Sequence, residues 1–304
     1  MKVYLFLISI VFYKVSFACD ICGGSISGNN MSGLMPMFNK NLIGMRSSYQ
    51  AFKHPPTIAN KTGEKQVLKD VYWSEEIWMR YYLHSKIQAF VNIPFRKNIR
   101  ELVEHSQKIY GVGDMSFQIN YAIYNNVDSG YSDLKLMWWL GGGIKLPTGK
   151  YQQRSVDKTM YPIGFQVGTG AYSFLLNSLV SIRKNKIGLN WNSNISLNST
   201  NELNYKMGNV FQTSLQAFYW HTIKANTKLL PQLGFHVFHL QKDINYNTIK
   251  KQSGGERVVT SISIDAYVNQ WMISVNIQKP LIERIGESVP ATLSSYQLNL
   301  GYFF

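Results

Sequence analysis

Hydrophobic and polar residues alternate in short runs along most of this chain. Ile187, Leu189, Trp191, Ile195 and Leu197 stand against Gly188, Asn190, Asn192, Asn194, Ser196 and Asn198, a period of two that belongs to a strand with one apolar and one polar face. The same pattern sets Ile43, Met45 and Tyr49 against Gly44, Arg46, Ser48 and Gln50, and Ile77, Met79, Tyr81 and Leu83 against Glu76, Trp78, Arg80 and Tyr82. Ile87, Ala89, Val91 and Ile93 oppose Lys86, Gln88 and Asn92. A row of asparagines against a dry core would forfeit the solvation of every unpaired amide, whereas the same row against water costs little.

Continued along the chain, the alternation predicts strands over 41–53, 69–84, 85–96, 113–124, 134–147, 172–183, 185–198, 206–220, 227–240, 257–268, 270–281 and 293–304. Most are long enough for a tilted strand to cross a bilayer, and about twelve is an even count within the usual range for membrane barrels. Long connections at 54–68, 97–112, 148–171 and 241–256, with shorter ones at 199–205 and 282–292, alternate with tight turns near Ser85, Asn185 and Asn269 and medium ones at 125–133 and 221–226. That order is expected of a barrel with both termini on the periplasmic side, and a soluble sandwich has no reason to follow it. The expected fold is therefore all-β, a transmembrane antiparallel up-and-down β-barrel.

The last strand supports the same reading. Tyr296, Leu298, Leu300, Tyr302 and Phe304 form one face, with Gln297, Asn299 and Gly301 on the other. This resembles the closing strand of bacterial outer-membrane proteins, whose final Phe is read by the barrel assembly machinery. These five residues are expected to form the lipid face of the last stave and to seal it against the strand at 41–53.

Composition narrows the class further. The chain has 304 residues, 14% aromatic and 16% charged, with a mean hydropathy of −0.15. It is neither a disordered chain nor a bundle of helical spans, and its aromatic content suits interfacial girdles. Lys2, the apolar stretch from Val3 to Phe12 and Ser16-Phe17-Ala18 read as a secretory signal over 1–18, so the mature chain is expected to start at Cys19 in the periplasm. A short periplasmic segment over 19–40 would then precede the barrel at 41–304 in the cell outer membrane. The net charge of +14 is scattered over strand ends and loops, which argues against a nucleic-acid partner. It fits solvated loops touching anionic lipid headgroups, or a basic lumen built on Arg46, Arg80 and Lys145, which fall on polar strand faces.

Little in the sequence points to catalysis. Cys19 and Cys22, the only cysteines, form a CxxC that three readings fit: a local disulfide or incidental pair in an oxidising compartment, a lipidated N-terminus, or a soft-metal site with Met31, Met35 and Met37 suited to Cu(I). Gly143 to Lys150 resembles a phosphate loop, but five residues separate Gly143 from Gly149 and Tyr151 replaces the Ser or Thr; a strand end that turns at Pro147 fits better. No Gly-x-Ser-x-Gly elbow accompanies the histidines, so no enzyme and no cofactor are expected.

Four segments carry a family resemblance. Val91-Asn92-Ile93-Pro94-Phe95-Arg96, Gly111-Val112-Gly113-Asp114-Met115, Gly142 to Tyr151, and Gln166-Val167-Gly168-Thr169-Gly170-Ala171-Tyr172 together resemble the bacterial outer-membrane family of MetA-pathway phenol-degradation proteins, often called transporters. The CxxC start lies outside this likeness and is similar to that of Bacteroidetes-type members. The resemblance implies a barrel for uptake of small hydrophobic or aromatic compounds and brings no catalytic residues. The expected function is a passive channel for a small solute, lined by Arg46, Arg80, Lys145, Asn190, Asn192 and Asn194 and gated by loops 148–171 and 97–112. Two alternatives stand beside it: copper handling at the Cys and Met residues, and a structural barrel whose lumen is closed by inward-pointing Trp78, Trp139 and Phe218.

Overall fold

The computed structural model of the protein describes residues 40–53, 57–58, 65–66, 69–101, 106–127, 133–155, 158–285 and 291–304. Twelve long strands form the wall. They are β1 (Leu42–Lys53), β2 (Lys69–His84), β3 (Ile87–Glu101), β4 (Ser116–Asn125), β5 (Leu134–Lys145), β6 (Ser173–Lys184), β7 (Ile187–Asn198), β8 (Val210–Tyr219), β9 (Thr227–Leu240), β10 (Gly255–Val268), β11 (Trp271–Ile285) and β12 (Ala291–Phe303). Each pairs antiparallel with its neighbours in sequence, and β12 returns to β1 from Leu42↔Phe303 to Lys53↔Ala291. The sheet is thereby closed and no stave of the wall is left with an open edge.

The period-two pattern sorts side chains between the two surfaces. Met45, Leu298 and Trp191 lie more than half exposed on the outer surface, while Asn299 and Asn120, on the alternate positions, are fully enclosed. Apolar outside and polar inside inverts the order of a soluble protein and matches a wall solvated by lipid. No α-helix occurs among the described residues. Four hairpins of the wall close in two-residue turns, at Ser85-Lys86, Asn185-Lys186, Ala225-Asn226 and Asn269-Gln270. Asn185 and Asn269 both adopt φ of 54°, a left-handed conformation that asparagine tolerates better than most residues. These turns mark one end of the barrel, the turn end, and the longer connections mark the opposite, loop end.

One expected loop is instead strand. Residues 97–101 continue β3, and the short strand Ser106–Val112 pairs with it from Phe95↔Val112 to Glu101↔Ser106. Gly113, Asp114 and Met115 then join that strand to β4, with Gly113 N donating to Pro94 O at 2.7 Å. The polar run Lys97-Asn98-Ile99-Arg100 resembles a loop, but Asn98 and Arg100 are held inside by partners from distant parts of the chain. At the same end Tyr205–Lys206, Ile244–Asn245 and Thr248–Ile249 form a small three-stranded sheet inside the expected loops.

Candidate solute path

The interior has two unlike halves. On the side of β9–β12 and β1–β2 the polar positions carry charge. Arg46 Nε donates to Asn299 Oδ1 at 2.8 Å, and its Nη1 lies 3.3 Å from Glu76 Oε2, with both side chains buried. The guanidinium also sits over the Trp78 ring, 5.5 Å from its centroid. Nearby, Gln232 donates to Asp265 at 2.7 Å, and His236 Nε2 shares a hydrogen bond with Ser261 Oγ at 2.9 Å. Towards the loop end Arg257 pairs with Glu283 at 2.6 Å. Arg80 is 1% exposed; it donates to Lys40 O at 3.2 Å, faces the rings of Tyr82 and Phe303, and forms no ion pair with a carboxylate among the described residues.

The half from β4 to β8 is neutral. Between Lys145 at the loop end and Lys135 and Arg183 at the turn end, its inward polar positions include Gln118, Asn120, Asn177, Ser181, Asn190, Asn192, Asn194, Gln212, Ser214 and Gln216. Ser181 donates to Asn190 and Asn194 Nδ2 donates to Asn192 Oδ1 at 3.3 Å. Asn192 is buried, and Asn190 and Asn194 are half-buried. Lys145 stands at the loop end of β5 with its Nζ 4.0 Å from Asp114 Oδ2.

Apolar clusters lie at both ends of this polar interior. At the turn end Leu42, Trp78, Phe218, Leu230, Tyr267, Met272 and Phe303 pack together, and Ala122, Met137, Trp139 and Leu179 form a second group beside them. Trp78, Trp139 and Phe218 thus lie inside the wall, as their register requires. Leu42, Met272 and Phe303 join them although nothing in the alternation marks them, because an apolar residue on a polar face reads as noise in a single strand. At the loop end the segment 161–171 folds inward. Its Phe165 and Val167 pack on Phe52, Tyr72 and Ile109, while Asn98 Nδ2 donates to Phe165 O at 2.8 Å. Arg100 makes a bidentate pair with Asp70, both distances 2.7 Å, and its guanidinium covers Phe165 at 4.8 Å.

Asp114 tethers this inward segment. Its carboxylate accepts from Gly149 N at 3.1 Å, Thr169 N at 2.9 Å and Thr169 Oγ1 at 2.6 Å. The role falls within the Gly113-Asp114-Met115 stretch of the sequence, but only the fold shows what the aspartate holds. On the closing strand, Tyr296, Leu298, Leu300 and Tyr302 lie on the outer surface, and Tyr296 packs on Tyr49, which in turn meets Trp73 edge-on. Phe304 exchanges backbone hydrogen bonds with Asn41 at 3.0 and 3.1 Å. Cys19, Cys22, Met31, Met35 and Met37 lie outside the described residues. Among the described residues no group of three or more His, Cys, Asp or Glu side chains is placed to hold a metal.

A scan against protein-family models finds no match, and a search of curated proteins finds none. Solved structures do match. The crystal structure of an outer membrane channel from Pseudomonas putida F1 is similar with a TM-score of 0.67 at 12% identity, over 87% of this chain and 95% of that one. The fold is that of an outer-membrane β-barrel. The beta domain of the Bordetella autotransporter BrkA is also similar, with a TM-score of 0.51 at 11% identity over 88% of this chain and all of that domain. At these identities the likeness is one of architecture, shared by barrels of different function.

Proposed function

We propose that the chain is exported through a signal over 1–18, inserts into the outer membrane with its loop end outside, and passes a small uncharged polar solute. The observation that carries this reading is the neutral, amide-rich half of the interior. A barrel with a purely structural role gains nothing from burying side-chain amides, each of which loses its hydration unless something polar meets it. The fold shared with a Pseudomonas channel and the likeness of the 91–172 segments to an outer-membrane uptake family support transport. The amides favour a polar solute over the hydrophobic or aromatic one that the family likeness implies.

Passage is passive and gated. The closed interior is the resting state, with the turn-end aromatics and the inward segment 161–171 as its two gates. Arg46, Arg80, Lys145, Asn190, Asn192 and Asn194 line the route between them. The test is a swelling assay on liposomes containing the purified full chain. Faster influx of small uncharged solutes than in empty liposomes supports the reading, and identical rates with a correctly folded, inserted protein contradict it.

A further inference from the structure

Strand register brings together six inward positions that lie far apart in sequence. Gln88 pairs with Asn120, Asn120 with Gly141, Gly141 with Asn177, Asn177 with Asn194, and Asn194 with Gln212. The row crosses six adjacent staves, about half the wall, and every member except Gly141 carries a primary amide. Aromatic residues end it on both sides, since Gln88 is paired with Tyr82 and donates to its hydroxyl, and Gln212 is paired with Phe238.

Gly141 is what lets the row converge. A Cβ at this position would lie 1.7 Å from Asn120 Oδ1 and 2.6 Å from Asn177 Oδ1, so the two amides lean over the glycine from either side and occupy the space of its missing side chain. Asn120 is 0% exposed and Asn177 is 4% exposed. Among the described residues neither has a hydrogen-bond partner for its nitrogen or its oxygen. Gln118, in the neighbouring row, likewise has an unpartnered Oε1 and leans over Gly143, where a Cβ would meet its Cγ at 2.6 Å. Unspent donors and acceptors at this burial are costly, and two such amides meeting side by side over one glycine is the arrangement of a recognition site.

From this geometry we infer that the Gln88–Gln212 row is the selectivity site of the channel and that its ligand is a small polyol or saccharide. This rests on the channel reading and specifies its solute. A hydroxyl group both donates and accepts, as a primary amide does, so vicinal hydroxyls can satisfy Asn120 and Asn177 together. A carboxylate or ammonium would use only half of each amide and would find no opposite charge in the row. An aromatic hydrocarbon would leave the amides unpaired.

The test compares the wild-type full chain with an Asn120→Leu, Asn177→Leu double variant and with Gly141→Ala, whose new methyl group pushes the amides aside. Folding of each is verified by heat-modifiable gel mobility. Arabinose, glucose and mannitol are titrated against ion current in planar bilayers and, in detergent, by calorimetry, with acetate and benzyl alcohol as controls. The expected result is saturable block and measurable binding by the three polyols in the wild type, weakened at least tenfold in both variants. Equal block in wild type and variants, or stronger effects of acetate or benzyl alcohol, overturns the site while leaving the channel. A folded wild type that neither conducts nor binds polyols overturns both.

Discussion

Replacing Asp114 with alanine should release the inward segment at the loop end. The carboxylate is buried and accepts three hydrogen bonds from Gly149 and Thr169, at 2.6–3.1 Å, with Lys145 at 4.0 Å. Hydrogen bonds to a charged group contribute about 1.5–3 kcal/mol each, but three on one carboxylate do not add in full. Removing one partner of such a buried cluster costs about 3–5 kcal/mol. With that tether holding the docked segment, the undocked fraction rises by roughly 140- to 3,700-fold, since 1.4 kcal/mol is tenfold. Hydrogen–deuterium exchange in detergent measures this directly. Amides over 161–171 should exchange faster by about that factor in Asp114→Ala, while β7 and β8 keep their protection. Unchanged exchange over 161–171 in a folded variant would refute the tether, and acceleration throughout the barrel would refute its local character.

Three further outcomes are expected. Arg46→Ala leaves Glu76 buried without its guanidinium and should destabilise the barrel by about 3–5 kcal/mol, read from the urea midpoint of the gel-mobility shift; a change below about 1 kcal/mol would mean that the pair is solvated. Phe218→Ala removes a ring from the turn-end cluster and should raise ion conductance at a cost of about 3–5 kcal/mol in stability; an unaltered current would show that the gate lies elsewhere. Leu300→Arg places a charge on the outer surface, where Leu300 is now exposed, and should cost up to about 2–4 kcal/mol in lipid, depending on depth. A neutral effect would contradict the assignment of that surface to the membrane.

The wall was legible because a strand writes its two faces into sequence at a period of two, and a membrane barrel writes them at high contrast. Tyr296, Leu298 and Leu300 are outside and Gln297 and Asn299 inside from the pattern alone. The hairpin at 95–112 was not legible, because Asn98 and Arg100 take their partners from residues 165–166 and Asp70, and no local pattern carries such contacts. The amide row was hidden for a related reason. Asn190, Asn192 and Asn194 are conspicuous together in one strand, yet only Asn194 belongs to the row. Its other members are scattered singly over five strands and aligned by turn lengths and by bulges such as those between Ala122 and Tyr124 and between Tyr82 and His84. Phe303 and Leu42 escaped because an apolar residue on a polar face makes sense only once the gathered cluster is seen.

The most direct test of the whole account is the single-channel current of the purified full chain, wild type and Asp114→Ala, in planar bilayers. The account predicts brief openings separated by long closures in the wild type, and the same step size at much higher open probability in the variant. Silence from both proteins, each folded and inserted, would contradict a gated channel and leave a closed structural barrel.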